Sequence, residues 1–454
     1  MSGAHALLVR RPAVEHLIRE VRRVLASPSA QAPYVRVEVE ADAGMAPLPW
    51  LAAQPHTPRL YWHRRGQSAR VACAGAAVSV ADDVRALGTL LERLGPEARL
   101  YGGFRFDPAR PFEAGAWRSD ERFRLTLPRL TFSTDGDRAM LACHLVFPRD
   151  AARRGDVLRA LRLVASPAPL ATTLPLPESR HDLPGPDAWA DTIGAALRAF
   201  EAGEMDKVVL ARRVTFAFGE PLDPFALMAR LEAATPAAFH FLTEHGGGAF
   251  LGASPERLFW QEGRSVWTEA VAGTRPRGET QGEATVWEAE LMGSEKDARE
   301  HGYVRDFLSA RLAPLATELR VDDAPEAMPQ ARVVHLRTRL EATLRSGVRP
   351  LDVLTALHPT PAVGGTPTEA ALAFLRTHEP FDRGRYAAPV GWMSRDAAEF
   401  AVGLRSGRVD GRSLTLYSGA GVVAGSEATR EWEEIESKIG DFAGALGLHA
   451  RHAS

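Results

Sequence analysis

Lysine is almost missing from this chain. Lys207, Lys296 and Lys438 are the only three in 454 residues, and the other 52 of its 55 basic residues are arginine. A retained lysine therefore points to a position where a planar, permanently protonated guanidinium cannot serve, because a desolvated lysine can lose its proton and act as a base or nucleophile. Cysteine is equally scarce. Cys73 and Cys143 sit in the apolar settings VACAG and LACHL, match no metal-ligand spacing, and read as small core residues. No apolar run reaches the ~18 residues of a membrane span. The N-terminal stretch MSGAHALLVRRPAVEHLIREVRRVL lacks the uninterrupted apolar segment of a secretory leader, so a cytoplasmic protein without membrane association is expected. A formal net charge of −2 gives no electrostatic footprint for nucleic acid.

What remains is an ordinary globular composition, 45% hydrophobic and 25% charged, in a chain long enough for a large core. Residues 1–175 form a region rich in Ala, Arg and Pro, with strand-like pieces at Tyr34–Glu40 and Arg124–Leu130. The Pro-rich passage Ser166–Pro186 then reads as a linker or long connection. From 185 to 454 the patterning is stronger. Asp187–Ala202 has helical spacing and stops at Gly203. Lys207–Phe218 is β-branched and apolar from its first residues, the signature of a strand, and Leu222–Ala234 is helical. Strands follow at Ala238–Thr243, Ala249–Ala253 and Ser265–Thr268. One long helix is predicted from Glu283 to Leu312, stopped by Pro314. Strands return at Val333–Leu344, Ala387–Met393, Glu399–Ser406 and Ser413–Ser418, and Ser426 offers an N-cap for a last helix ending near Gly447. Long helices mixed with consecutive strands, without βαβ alternation, predict an α+β fold with large, mostly antiparallel sheets in a sandwich-like core flanked by helices. The two regions are expected to form one intertwined unit.

Two constellations carry chemistry. Asp297 and Glu300 share a helix face at i, i+3, and Glu431, Glu434 and Lys438 form a second stripe at i, i+3, i+7. Each stripe alone reads as a solvated face. Brought together, they would make an all-oxygen site suited to a hard ion such as Mg²⁺. The second constellation is a set of glycine-rich pieces, Phe250–Leu258, Val271–Gly278, Leu357–Pro367 and Tyr417–Gly425, read as turns whose free N–H groups could hold a carboxylate. None has the spacing of a nucleotide fingerprint.

The stretch from about 190 to 450 resembles the chorismate-utilising enzymes, the family of the isochorismate, salicylate, anthranilate and aminodeoxychorismate synthases. The resemblance rests on KVVLARR, FLGASPERL, AVAGTRPRG, SEKDAREH, VVHL, LHPTPAVGGTP, FDRGRYAAPVGW, EFAVGLRSG, YSGAGVV and EWEEIESK, in that order over roughly 250 residues. The pieces PLPWLAAQPHTPRLYWHRRG and YGGFRFDP are similar to the menaquinone-type isochorismate synthases, but are less diagnostic. The resemblance implies that Lys207 activates water and that Glu256 protonates the departing C4 hydroxyl. It implies a Mg²⁺ site made of Asp297, Glu300, Glu431 and Glu434, with the metal holding the ring carboxylate of chorismate. Tyr386, Arg405, the amides of Gly419 and Gly421, and Lys438 fall where the family binds substrate carboxylates. Gly273 and Thr274 line the site, and His335 corresponds to a histidine near ring and metal. Lys296 matches no role and reads as a solvent-facing helix position.

Within the family, Ala272 stands where aminodeoxychorismate synthases carry a lysine, and Lys207 stands where anthranilate synthases carry glutamine. Water rather than ammonia is then the expected nucleophile, no glutaminase subunit is expected, and the implied activity is conversion of chorismate to isochorismate by a monomer or homodimer. Salicylate synthase, which further eliminates pyruvate, is the nearest alternative, and an aminating synthase subunit a more distant one. Menaquinone and siderophore pathways stay equally open. Ile435 departs from the threonine common after the metal glutamate, but the ligand position is retained. The chemistry would need Lys207 neutral and Glu256 protonated, both of which desolvation favours.

Overall fold

The computed structural model describes residues 12–27, 32–111, 121–278, 280–329 and 333–448, with the side chains of Thr274, Pro276 and Gln281 outside that description. Its organising element is the long strand Phe123–Asp135, from which two antiparallel ladders depart. The first runs through Arg70–Ala81, Arg59–His63, Phe239–His245, Gly248–Ser254, Ser406–Asp410 and Ser413–Val423 to Lys207–Phe218. The second runs through Leu100–Phe104, Pro389–Met393, Ala397–Val402, Arg257–Glu262 and Ser265–Pro276 to Val333–Leu344. All belong to one twenty-stranded sheet flanked by helices, the α+β architecture expected. Strands from before and after residue 175 pair directly, Arg59–His63 with Phe239–His245 and Leu100–Phe104 with Pro389–Met393.

Local sequence explains most elements. The helix Pro186–Glu201 buries Trp189, Ile193, Ala196 and Ala199, a stripe at helical spacing, and the chain leaves it through Gly203 at φ 70°. Lys207–Phe218 is buried on both faces over its first half, which suits its near-continuous apolar run. Cys73 and Cys143 are both fully buried, as their contexts implied. No helix among the described residues is long and apolar enough to cross a membrane.

Four expectations need correction. The passage Ser166–Pro186 is not all linker: Pro177–Leu183 is an edge strand paired with Lys207–Phe218, and its prolines stand at the strand's first residue and beyond its end, where no ladder donor is lost. The stretch 283–312 is two helices, Gln281–Gly293 and Glu295–Leu312. After Gly293 the Ser294 side chain accepts from the Asp297 amide at 3.2 Å and starts a new helix. The strand read as Glu399–Ser406 is two strands on different ladders. The chain crosses between them at Gly403, where a Cβ would lie 2.7 Å from the Arg385 carbonyl oxygen, and Arg405 takes a left-handed φ of 45°. Ser426 does not cap the last helix, Ala428–Ala445. Glu427 occupies that position, while Ser426 Oγ accepts from the Val423 amide at 3.2 Å.

The break at Ser294 sets the pose of the helix that carries Asp297 and Glu300. Ser294→Ala should lower stability by about 1 kcal/mol, read as a lower urea midpoint at unchanged slope; an unmoved midpoint would show that the cap adds nothing.

Candidate active site

A cavity of about 450 Å³ lies where the two ladders end. The helix Glu295–Leu312 packs on the strand Ser265–Pro276 of one ladder, and the helix Ala428–Ala445 packs on Ser413–Val423 of the other. Helical spacing turns Asp297 and Glu300 inward from the first helix, and Glu431, Glu434 and Lys438 inward from the second. The two acidic stripes thus face one space. Glu256, Gly273 and His335 line it from the second ladder and its connections, while Tyr386, Arg405, Gly419 and Gly421 complete the wall. Thr274 pairs with His335 in the ladder, but its side chain lies outside the described residues.

Lys207 lies beneath the wall, fully buried at the start of its strand, with Nζ donating to Glu300 Oε1 at 2.7 Å. Gly421 makes the approach possible: a Cβ there would lie 2.9 Å from Glu300 Oε1 and 3.2 Å from Lys207 Cε. Gly419 serves Tyr386 in the same way, since its Cβ would stand 3.1 Å from the phenol oxygen. Both glycines, and Gly273 at φ 72°, lie inside paired strands. The expected turns at Val271–Gly278 and Tyr417–Gly425 are therefore mostly strand, and their glycines admit neighbouring side chains instead of exposing amides.

Each carboxylate is already held by its own partner. Asp297 Oδ2 pairs with Arg275 at 2.7 Å, Glu300 with Lys207, and Glu434 with Lys438 at 2.5 Å, while Ser426 hydrogen-bonds Glu431. Burial alone would raise the Glu300 carboxyl, but Lys207, Lys438 and Lys296 hold it below the ordinary range. Glu431 is pushed up by burial and by the like charge of Glu434. Among the described residues no three His, Cys, Asp or Glu side chains converge closely enough to hold a metal ion as they stand. The donor set nonetheless fits a hard cation: only carboxylate oxygens, from two facing helices, with the charge of Glu431, held by the neutral Ser426, left to neutralise.

Glu256 is 8% exposed, and its carboxyl is raised to about 8 by burial and by Glu269, against Lys207 and Arg65. His335 is lowered to about 4 by burial and uses Nδ1 to donate to the Gly273 carbonyl at 3.0 Å, so it is neutral at pH 7. Tyr386 is raised to about 12 by burial and stacks on Tyr417 with centroids 5.3 Å apart. Lys438 also donates to the Gly419 carbonyl at 3.0 Å. Arg405, expected among the carboxylate-binding residues and inside the strand Glu399–Ser406, lies between two strands. Its left-handed backbone at the crossover turns the buried guanidinium, whose pKa burial lowers, into the cavity wall.

Sequence reasoning passed over Arg275 and Arg430 and gave Lys296 no role, and all three also line the cavity. Arg275 directly follows the Gly-Thr pair, a position that could have flagged it. Lys296 is exposed as expected, yet it reaches the rim. Breaking the central pair while leaving Lys207 buried should be costly. Glu300→Gln should lower unfolding free energy by about 3 kcal/mol, measured by denaturant titration, and a loss below about 0.5 kcal/mol would show that Lys207 finds another partner.

The sequence pattern of the family described as "Chorismate binding enzyme" matches residues 20–447. Chloroplastic isochorismate synthase 2 of Arabidopsis thaliana is 32% identical over 475 residues, covering 96% of this chain and 84% of that protein. The salicylate biosynthesis isochorismate synthase of Pseudomonas aeruginosa is 36% identical over 363 residues, covering 78% and 75%. The solved structure of MenF, the menaquinone-specific isochorismate synthase of Escherichia coli, superposes with a TM-score of 0.85 at 29% identity, covering 96% of this chain and all of that one. With its pattern matched almost from end to end and its cavity built from the same motifs, this chain belongs to the chorismate-binding enzyme family.

Proposed function

We propose that the protein is an isochorismate synthase. Water adds to C2 of chorismate, the ring double bonds shift, and the C4 hydroxyl departs with a proton as water, so substrate and product are isomers. The observation that carries this reading is Glu256, a buried carboxyl at the cavity wall that stays protonated up to about pH 8 and so can serve as an acid at neutral pH. In this reading Glu256 delivers its proton to the leaving hydroxyl. Lys207 takes a proton from the attacking water once its pair with Glu300 opens. Arginine could not do so, because its pKa exceeds ~12.

Chorismate carries two carboxylates, and Arg275, Arg405 and Lys438 are cations that line the cavity. Arg405, Lys438 and the Tyr386 hydroxyl form one receptor, with the backbone at Gly419 and Gly421 alongside. Gly273, Thr274 and the neutral His335 bound the ring. Asp297, Glu300, Glu431 and Glu434 would hold Mg²⁺, which when bound supplies positive charge for the ring carboxylate. Ala272 stands where aminodeoxychorismate synthases carry a lysine, and Lys207 where anthranilate synthases carry glutamine, which favours water as the nucleophile.

Purified protein given chorismate and Mg²⁺ should form isochorismate, followed by chromatography, without salicylate and pyruvate. Those two in equal amounts would assign salicylate synthase instead, and an ammonia-dependent product would assign an aminating enzyme. Lys207→Ala and Glu256→Gln should each lower kcat by about 10²–10⁴-fold; wild-type rates in both would remove the assigned acid and base. Because the acid form of Glu256 is the active one, kcat should fall about tenfold per pH unit above its pKa of about 8. Chelation should abolish turnover and added Mg²⁺ restore it, with full activity in excess chelator excluding a metal role.

A further inference from the structure

Glu256 is held from behind by residues that the reaction above does not use. On one side of it, the Pro255 carbonyl accepts a hydrogen bond from Arg65, which lies in the turn after the strand Arg59–His63. On the other side, the Arg257 amide donates to Glu269 Oε1 at 3.3 Å. Arg65 Nη2 and Glu269 Oε1 pair with each other at 2.5 Å, so one ion pair grips the chain both before and after the acid. The peptide of Glu256 is fixed as well, its N–H donating to Ser254 Oγ at 3.2 Å and its carbonyl accepting from the Val402 amide at 3.1 Å. The side chains of the pair are only 14% and 5% exposed. Burying two charges is costly, and apolar residues of the same volume could often fill such a space at no loss of stability. The charges themselves therefore call for a role.

We propose that Arg65 and Glu269 are positioning residues for Glu256, gripping the chain on either side of it and setting through their opposed charges whether it keeps its proton. This rests on the reading of Glu256 as the acid. Glu256 is faced by Glu269 from the strand Ser265–Pro276, by Lys207 from the strand Lys207–Phe218, and by Arg65 from the N-terminal region. Tyr386 is coupled to it from the segment before Pro389, and Arg337 approaches Glu269 Oε2 at 3.8 Å from the strand Val333–Leu344. Burial and Glu269 favour the protonated acid, while Lys207 and Arg65 favour the carboxylate. Arg65 and Glu269 thus act on one proton with opposite sign, and removing either leaves the other unbalanced.

The sign is the test. Glu269→Gln keeps shape and an acceptor for Arg65 and Arg257 but deletes the negative charge. Its alkaline limb of kcat should move to lower pH by on the order of one unit. Arg65→Gln leaves Glu269 unbalanced, and its limb should move to higher pH by a similar amount. Arg65→Lys keeps the charge and should leave the limb at the wild-type position. A purely structural role would lower kcat in all three without opposite displacements. Thermal unfolding checks that each variant folds; if Arg65→Gln does not, Glu269→Gln and Arg65→Lys still decide. Limbs that stay fixed, or move in one direction together, overturn the proposal while Glu256→Gln remains inactive. A fully active Glu256→Gln would overturn the underlying reading instead.

Discussion

The Lys207–Glu300 pair is where the molecule closes. Lys207 begins the last long strand of one ladder, and Glu300 sits on a helix packed against the strand Ser265–Pro276 of the other. Both ladders start from the strand Phe123–Asp135, so this contact joins the two far ends of one continuous sheet. Fully desolvated ammonium is tolerable only beside a carboxylate, and the pair therefore fixes the distance between the ends. The cavity is the space left around that closure, and its walls inherit their positions from strands that cannot shift register without moving every side chain to the other face.

The same constraint accounts for the crowd of charge. Arg275, Lys207 and Lys438 each neutralise one of the acids on the two facing helices, and Arg405 adds a further cation at the crossover. Without a ligand the cavity is an internally compensated set of ion pairs, which keeps unpaired buried charge to a minimum. A dianionic substrate can be taken up by exchanging partners within this set, with the cations already in place. Glu256 stands outside it. Among the described residues no cation pairs with its carboxyl, and burial with a like charge behind it raises it to about 8. Separate environments for chemically similar carboxyls would, in the proposed reaction, divide binding from acid chemistry.

Much of this was legible along the chain where the governing interactions are local. Tyr34–Glu40, Lys207–Phe218 and Val333–Leu344 have the bounds that β-branched patterning assigns them, and the i, i+3 spacings of the acidic stripes place them on inward faces. What was missed depends on partners distant in sequence. Pro177–Leu183 is a strand because Lys207–Phe218 offers it an edge, not because of its own polar composition. The long helix divides at Ser294 because a side-chain cap outcompetes continuation through Gly293. Glycines read as turns lie inside strands because Glu300 and Tyr386 must pass close to them. Arg65 and Glu269 are about 200 residues apart, and no spacing rule could bring them to the two sides of Glu256.

The scarcity of lysine also has a steric side at Lys207. A Cβ on Gly421 would already lie 3.6 Å from Lys207 Nζ, and the side chain has no exposed surface to expand into. A guanidinium places three nitrogens in a plane and needs partners for five N–H donors, whereas Glu300 is the acceptor found beside Nζ. The ammonium fits as a point charge with rotatable donors, and it can become neutral. Lys438 meets a similar demand differently, splitting its donors between Glu434 and the Gly419 carbonyl. Lys296, exposed at the rim, is under no such restriction, and an arginine of equal reach would carry the same charge there. Position 207 is thus restricted by volume, and the proposed role as base would add the need for a removable proton; lysine meets both requirements.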